Sequence, residues 1–237
     1  MSYPTRTIAL LCEILHPAIA PDPRPIQRLH NEMFEGGQPA YAGFQVSQVG
    51  PVLSNPVATP GGVSQVAFLA DRLQFREERG TLTHETFAAR VREIAERAAP
   101  LRGVPVYSAQ QIVLRTLVNP RTATDTREFL RERVFGFGDE IDALGRSAQL
   151  LGLRLGFGPE SDDENAFGLR IESYNADPRS LYIEVQGSFG PAVPSRGLEV
   201  LEQNVLRTYE FLTGRVLTFL GHFDRREGNG NDGGDVG

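Results

Sequence analysis

FGLRIESYNADPRSLYIEVQGSF (Phe167–Phe189) precedes LEVLEQNVLRTYEFLTGRVLTFLGHF (Leu198–Phe223), and these two stretches decide the fold class. In the first stretch, apolar and polar residues alternate on both sides of a turn at residues 175–180, which predicts two antiparallel strands. In the second stretch, apolar residues recur at every third or fourth position along residues 198–220. That spacing predicts a helix of roughly six turns with one apolar stripe.

The rest of the chain repeats these two kinds of element. Alternation or short apolar runs predict further strands at Thr7–Leu15, Tyr41–Val49, Val63–Ala70, a short segment with Leu73 and Phe75, Val106–Val118 and Leu150–Phe157. Helices are predicted after Asp22 (with Ile26, Leu29, Met33 and Phe34 on one side), from Thr83 to about Ala99, and after Asp125 (with Phe129, Leu130 and Val134).

The order of these elements predicts an α+β fold. Each half of the chain reads strand, helix, several strands, helix, and strands that are grouped between helices favour antiparallel sheets with helices on one side. We therefore expect a pseudo-duplicated architecture with an N-terminal half at residues 1–103 and a C-terminal half at residues 104–224. Residues 225–237 are rich in Gly, Asn and Asp and are predicted to be a disordered tail.

Composition excludes several function classes. The 237 residues carry a formal net charge of −6, and all 24 basic residues are arginine. Without lysine there is no P-loop of the usual kind and no Schiff-base or pyridoxal chemistry. The net acidity disfavours general binding to nucleic acids or anionic membranes.

Cys12 is the only cysteine, so an intramolecular disulfide and a cysteine-based zinc site are both excluded. Glu13 interrupts the apolar run at the N-terminus, which argues against a secretory signal. No apolar run reaches the length of a membrane span. These features predict a cytoplasmic protein with no membrane partner.

The two stretches quoted above resemble the C-terminal half of a sporadically distributed bacterial protein family of unknown function and about this chain length. The N-terminal half is similar only in CEIL near its start and AGFQV after the first helix. The resemblance implies an α+β fold and no established activity, so it assigns no functional residues. The patchy distribution of that family implies a role in accessory or defence systems.

Three motifs are better explained by structure than by catalysis. His84-Glu85 begins like a zinc-protease helix, but Ala88 stands where the second histidine is required. The acidic residues Glu160, Asp162, Asp163 and Glu164 lack the spacing of a calcium loop, and we interpret them as a solvated hairpin loop. The glycines Gly136, Gly138, Gly152, Gly156 and Gly158 do not form the dinucleotide-binding fingerprint.

The polar side of the last strands is the best candidate site. Arg154, Arg170, Glu172, Tyr174, Tyr182 and Glu184 alternate with apolar residues and are expected on one outer face. Cross-strand ion pairs on a wet surface would explain these residues without any function. The functional interpretation is a groove or interface, because Tyr and Arg are enriched in binding hot spots.

Three hypotheses follow. The first is a non-enzymatic binding or regulatory protein that acts through a protein partner or as a homo-oligomer. The second is a small-molecule binder or enzyme with a pocket between sheet and helices, lined by the Glu, Tyr and Arg groups of the candidate site. The third, nucleic-acid binding, requires a cluster of arginines. We expect no cofactor and no metal, because no set of ligand residues has suitable spacing.

Overall fold

The computed structural model describes residues 3–20, 22–37, 39–137, 140–160 and 165–225. The strands are β1 (Arg6–Leu15), β2 (Gly43–Ser47), β3 (Gly50–Asn55), β4 (Val63–Phe68), β5 (Arg72–Glu78), β6 (Ala109–Val118), β7 (Gly152–Phe157), β8 (Ala166–Ser173) and β9 (Leu181–Phe189). The α-helices are α1 (Arg24–Glu35), α2 (His84–Arg102), α3 (Thr126–Glu128), α4 (Glu199–Glu210) and α5 (Leu217–Phe223). π-Helical segments extend α3 (Phe129–Phe135) and join α4 to α5 (Phe211–Val216), and 3₁₀ turns lie at Glu140–Leu144 and Pro194–Arg196.

All the strands of the described residues belong to one nine-stranded antiparallel sheet, in the order β2-β3-β4-β5-β1-β6-β9-β8-β7. The predicted α+β class with an antiparallel sheet is therefore confirmed. The two halves meet at the centre, where β1 pairs with β6. On either side of this pair, β5 and β9 occupy corresponding positions.

The helices and the apolar core lie on one side of the sheet. The core-side positions of β1 are Leu10, Cys12 and Ile14, which pack with α1, α2 and α4 in the larger core. A second core holds Leu169, Ile171 and the other core-side residues of β8 and β9 against Leu212, Val216 and Leu220 of the last helix. The alternation that predicted the strands therefore also decides which side of the sheet the helices cover.

The last helix is attached to the sheet by a buried polar contact as well as by its apolar stripe. The Gln110 side chain of β6 donates to the Leu201 carbonyl oxygen at 3.0 Å and accepts from Asn204 at 2.8 Å. A Cβ atom at Gly187 would lie 2.5 Å from the Thr208 hydroxyl, so glycine lets α4 approach β9 closely. A buried side-chain amide needs hydrogen-bond partners, and Leu201 and Asn204 supply them to Gln110.

Thr83 caps α2 as predicted, because its hydroxyl accepts from the Thr86 amide at 3.2 Å. Gly103 ends α2 in the left-handed conformation, at φ 65°. The helix runs through Pro100 to Arg102, three residues beyond the predicted end at Ala99. Within the described part of the chain, no helix is long and apolar enough to cross a membrane.

One expectation about local structure, the burial of Phe34, was wrong, and two features, β3 and a π-helical segment, were not predicted. The predicted single strand at Tyr41–Val49 is the first arm of a hairpin, and β3 follows although it contains Pro51. Its first residue, Gly50, has φ 140° and allows no Cβ, because that atom would lie 2.3 Å from the Phe68 carbonyl oxygen.

Phe34, predicted on the buried side of α1, is 47% exposed. The last helix contains a π-helical segment that the apolar spacing did not indicate. Residues 226–237 of the predicted tail lie outside the described residues.

Leu212→Ala tests the placement of the last helix. Leu212 is 2% exposed in the second core, so its truncation should cost about 2–5 kcal/mol of unfolding free energy. Denaturant titration measures the loss. Val200→Ala, at an exposed position on the same helix, is the matched control and should change stability by less than about 0.5 kcal/mol. Equal effects of the two substitutions would show that the helix face is misassigned.

Cys12 should be unreactive in the native protein. It is fully buried in the core, and burial raises the pKa of its thiol to about 12. The thiolate that reacts with alkylating reagents is therefore scarce at neutral pH. Labelling with a maleimide, followed by mass spectrometry, should be slow in buffer and fast in denaturant. Rapid native labelling would contradict the assignment of Cys12 to the core side of β1.

Candidate functional site: the open face of the sheet

The sheet surface turned away from the helices is here called the open face. Register pairs across the sheet define it, since residues that are directly opposite each other point to the same side. One row runs Gln74, Glu13, Gln111 and Ser188 across β5, β1, β6 and β9. Another runs Arg115, Glu184, Arg170 and Arg154 across β6, β9, β8 and β7. The open face therefore spans both halves of the chain.

Five of the six predicted site residues lie on the open face. Arg154 of β7 lies directly opposite Arg170 of β8, and Arg170 in turn lies directly opposite Glu184 of β9. Glu172 lies opposite Tyr182 in the next row. These five side chains are brought together by the strand register that the alternating sequence implied.

Tyr174 is the exception. It follows the last residue of β8 and lies in the turn to β9, where its amide donates to the Ser180 carbonyl oxygen at 3.0 Å. Its side chain contributes to a shallow hollow beside Arg127 and Pro178 at the end of the sheet. The alternation predicted Tyr174 in a strand, but β8 ends one residue before it.

Glu184 is the centre of the strongest polar group on the open face. It accepts from Arg115 Nε at 2.7 Å and from the Tyr182 hydroxyl at 2.7 Å. Burial alone would raise the pKa of the Glu184 carboxyl, but the hydrogen bonds from Tyr182 and Arg115 hold this pKa below its ordinary value. Burial and the neighbouring carboxylate raise the pKa of Tyr182. Glu184 is therefore an ionised acceptor and Tyr182 a protonated donor at neutral pH.

The neighbouring pair extends this group towards the edge of the sheet. Arg170 donates to both oxygens of Glu172, at 2.5 and 2.7 Å, and its guanidinium lies 5.7 Å from the centre of the Tyr182 ring. Arg154 is exposed and has no hydrogen-bonding or ion-pair partner among the described residues. An unpaired arginine beside a paired cluster is available to a carboxylate of another molecule.

Sequence reasoning missed the apolar middle of the open face. Leu11 and Leu15 of β1 and Val113 of β6 are half-buried on this face and form what we call the central strip. The polar pair Glu13 and Gln111 lies between Leu15 and the Leu11–Val113 pair, and Leu117, on the same side of β6, is buried. Leu11 lies directly opposite Val113, and these two line a small hollow with Glu13, Gln74, Arg76 and Gln111. The only signal available was the alternation in Thr7–Leu15 and Val106–Val118, which does not reveal that these strands are neighbours.

Polar side chains of β1 and β5 lie beside Leu11. Glu13 accepts from Arg72 at 2.9 Å and from Gln74 at 2.7 Å. Arg76 donates to Glu78 at 2.6 Å. Hydrogen-bonded polar side chains thus surround the Leu11–Val113 pair, and two of them, Glu13 and Arg115, belong to the central strands themselves.

Charges on the open face are nearly balanced. Among the described strand residues that point to this side are Arg6, Arg72, Arg76, Arg115, Arg154 and Arg170, against Glu13, Glu78, Glu172 and Glu184. Six positive and four negative charges give +2, and four of the arginines form ion pairs with those glutamates. The face is therefore slightly basic on a chain whose formal charge is −6.

The other sequence motifs have structural surroundings. The His84 ring stacks on Tyr209 with centroids 3.5 Å apart, which joins α2 to α4. Gly136 ends the π-helical segment after α3 with φ 63°. Gly138 and the acidic residues Asp162, Asp163 and Glu164 lie outside the described residues. Within the described ranges, no three His, Cys, Asp or Glu side chains form a group that could hold a metal ion.

A cavity of about 720 Å³ lies at the end of α5 rather than between sheet and helices. Asp224 on its wall accepts from the Tyr3 hydroxyl at 2.8 Å, from the Arg121 and Thr122 amides and from the Thr122 hydroxyl. These bonds hold the end of the last helix against the loop after β6. The Glu, Tyr and Arg residues of the open face do not line this cavity.

No protein-family model matches the chain, and no curated protein matches it either. The resemblance to a sporadically distributed bacterial family therefore stays a resemblance, and the site rests on its geometry.

Glu184→Gln should destabilise the protein by about 1 kcal/mol at neutral pH, because Arg115 would lose its carboxylate partner on a partly exposed surface. The pKa of Glu184 is lowered in the folded state. The stabilisation that its charge provides is therefore fully present at pH values above the ordinary pKa of a carboxyl group. It is lost as the pH falls through the lowered value. Thermal unfolding of wild type and variant across this pH range measures the difference.

Glu172→Gln is the matched control, because Arg170, its partner, is exposed and the pair is worth little. The wild-type and Glu184→Gln curves should converge in acid. A difference that persists unchanged in acid would mean that Glu184 acts through packing rather than charge.

Proposed function

We propose that this chain is a non-enzymatic binding or regulatory protein that holds a protein partner on the open face of its sheet. The observation that carries the proposal is the arrangement of that face, where the half-buried apolar residues Leu11, Leu15 and Val113 lie at the centre among hydrogen-bonded polar side chains. Protein interfaces share this anatomy, since they combine an apolar core with a polar rim.

The size of the face fits a protein partner. Strands lie about 4.8 Å apart and rise about 3.4 Å per residue, so the sheet is about 40 Å wide and about 20 Å long. This gives about 800 Å², the area that one partner contributes to an interface of standard size. The residues placed to act as anchors are Leu11, Val113, Arg154 and Tyr182, two of which belong to the types enriched in hot spots.

Charge favours a protein over a nucleic acid. Phosphate backbones are bound by arginines or lysines that are free to neutralise them. On this face, Arg72, Arg76, Arg115 and Arg170 are already paired with glutamates. Charged groups of a protein partner can replace one member of such an ion pair, and this exchange gives specificity rather than affinity.

The carboxylate–tyrosine group supports binding rather than catalysis. Glu184 is held ionised and accepts two hydrogen bonds, and both of its donors are fixed by the sheet. A general acid or base would need a pKa near the working pH, whereas that of Glu184 is lowered and that of Tyr182 is raised. The group is suited to recognising polar atoms of a partner in the cytoplasm.

A photo-crosslinking amino acid at Val113, on the central strip, should capture the partner in cells. The same amino acid at Glu96, exposed on α2 on the helix side, is the control and should not. Mass spectrometry then identifies the captured protein, beginning with the products of neighbouring genes.

The interaction is then measured with the purified partner. Val113→Arg should weaken the affinity by at least about tenfold, because a charge would be placed in the apolar centre. Val200→Arg, on the exposed side of α4, should leave the affinity unchanged. The proposal fails if both variants bind equally well, or if duplex or single-stranded oligonucleotides bind the wild type at physiological salt and compete for the face.

A further inference from the structure

The two ends of the sheet are not equivalent. Outward from the central pair, β5, β4 and β3 on one side correspond to β9, β8 and β7 on the other. In the N-terminal half, β2 then covers β3, whereas among the described residues no strand covers β7. The pseudo-duplicated sheet thus lacks one strand, beside β7.

The described residues that precede β7 do not supply that strand. By the order of elements, a counterpart of β2 would lie between Phe135 and Gly152. The described residues there form a 3₁₀ turn at Glu140–Leu144 and irregular structure, with Leu144 75% exposed and Leu150 48% exposed. Within the described part of the chain, the edge of β7 is therefore unpaired and can accept a strand from another molecule.

Hydrogen bonding determines which groups this edge presents. The Ser173 amide donates to the Leu151 carbonyl oxygen at 3.0 Å, so residues 151, 153, 155 and 157 bond to β8. The main-chain groups of Gly152, Arg154 and Gly156 consequently point away from the sheet. Two of these three residues have no side chain to obstruct an approaching strand.

The edge has little of the usual protection, since Arg154 is its one charged residue. Natural edge strands are blunted by short length, charged side chains, proline, bulges or inward-pointing charges. β7 has the sequence GLRLGF and pairs with β8 without a register shift. On the core side Leu153 and Leu155 are half-buried, and Phe157 is 42% exposed where it meets Phe211 at a centroid distance of 5.5 Å.

β7 is complementary to itself. In an antiparallel pair of two copies, with Leu155 opposite Leu155, Leu153 lies opposite Phe157 and Arg154 opposite Gly156. This register places outward-pointing main-chain groups against each other and matches apolar side chains on the core side. A register with Arg154 opposite Arg154 would set like charges face to face.

We propose that two copies of this chain associate through β7 in the register centred on Leu155, so that their sheets continue across a two-fold axis. This assembly is separate from the partner bound on the open face, and it adds the strand that the C-terminal half lacks. The symmetric arrangement is closed, because each copy offers a single β7 edge. A single strand pair buries a small area, so the dimer is reversible and depends on concentration.

Sedimentation velocity over a concentration series tests the assembly. The mass should rise from 26.1 kDa towards twice that value. Gly156→Pro should prevent the rise, since it removes an outward-pointing amide and leaves the bonds of β7 to β8 intact. A mass that stays at 26.1 kDa at every concentration, or a dimer that Gly156→Pro does not weaken, would overturn the proposal.

Disulfide cross-linking tests the register. Under mild oxidation, Leu155→Cys should form a covalent dimer, because opposite residues of a non-hydrogen-bonded pair lie about 4.5 Å apart at Cα. Leu153→Cys is the matched control and should not link to itself, since its two copies would be about 14 Å apart. When the two variants are mixed, Leu153→Cys should link to Phe157→Cys. This link tests the register even if Leu155→Cys folds poorly. Cys12 is buried and does not interfere. Equal self-linking of the Leu155 and Leu153 variants, or no link in the mixture, would overturn the register.

Discussion

The pairing of β1 with β6 is the interaction on which the rest of this structure depends. It joins strands that are about a hundred residues apart, with Leu10 opposite Leu114 and Cys12 opposite Ile112 on the core side. The same register sets Leu11 opposite Val113 on the other side. One set of main-chain bonds therefore unites the two halves, brings α2 and α4 together over the centre and creates the central strip.

The one-sided placement of the helices follows from the sequence of the strands. Most core-side positions are aliphatic or aromatic, and the polar Gln110 is tolerated there because Leu201 and Asn204 satisfy its amide. The other side carries mostly charged and polar residues that can remain in contact with water, around the few apolar residues of the central strip. The ion pairs of that side contribute little to stability. Their value is to keep a broad sheet surface hydrated and to orient its polar groups.

The two proposed surfaces differ in the physics they use. The open face offers side chains, so its specificity comes from an apolar centre and fixed charges. The β7 edge offers main-chain donors and acceptors, so its specificity comes from register and from the row of Leu153, Leu155 and Phe157. A strand added at β7 would also extend the open face, since Arg154 lies on both.

The sequence by itself determined the class of the fold, most elements and the side to which most strand residues point, because periods of two and of 3.6 are local properties of the backbone. It also placed Arg154, Arg170, Glu172, Tyr182 and Glu184 on one face. It did not predict β3, whose Pro51 reads as a breaker, or the π-helical segment in the last helix. Only the tertiary structure decided that β1 lies beside β6 and that Leu11, Val113 and Arg115 complete the site. The packing of the whole core determines which strands that are distant in sequence become neighbours, and no local sequence pattern indicates this pairing.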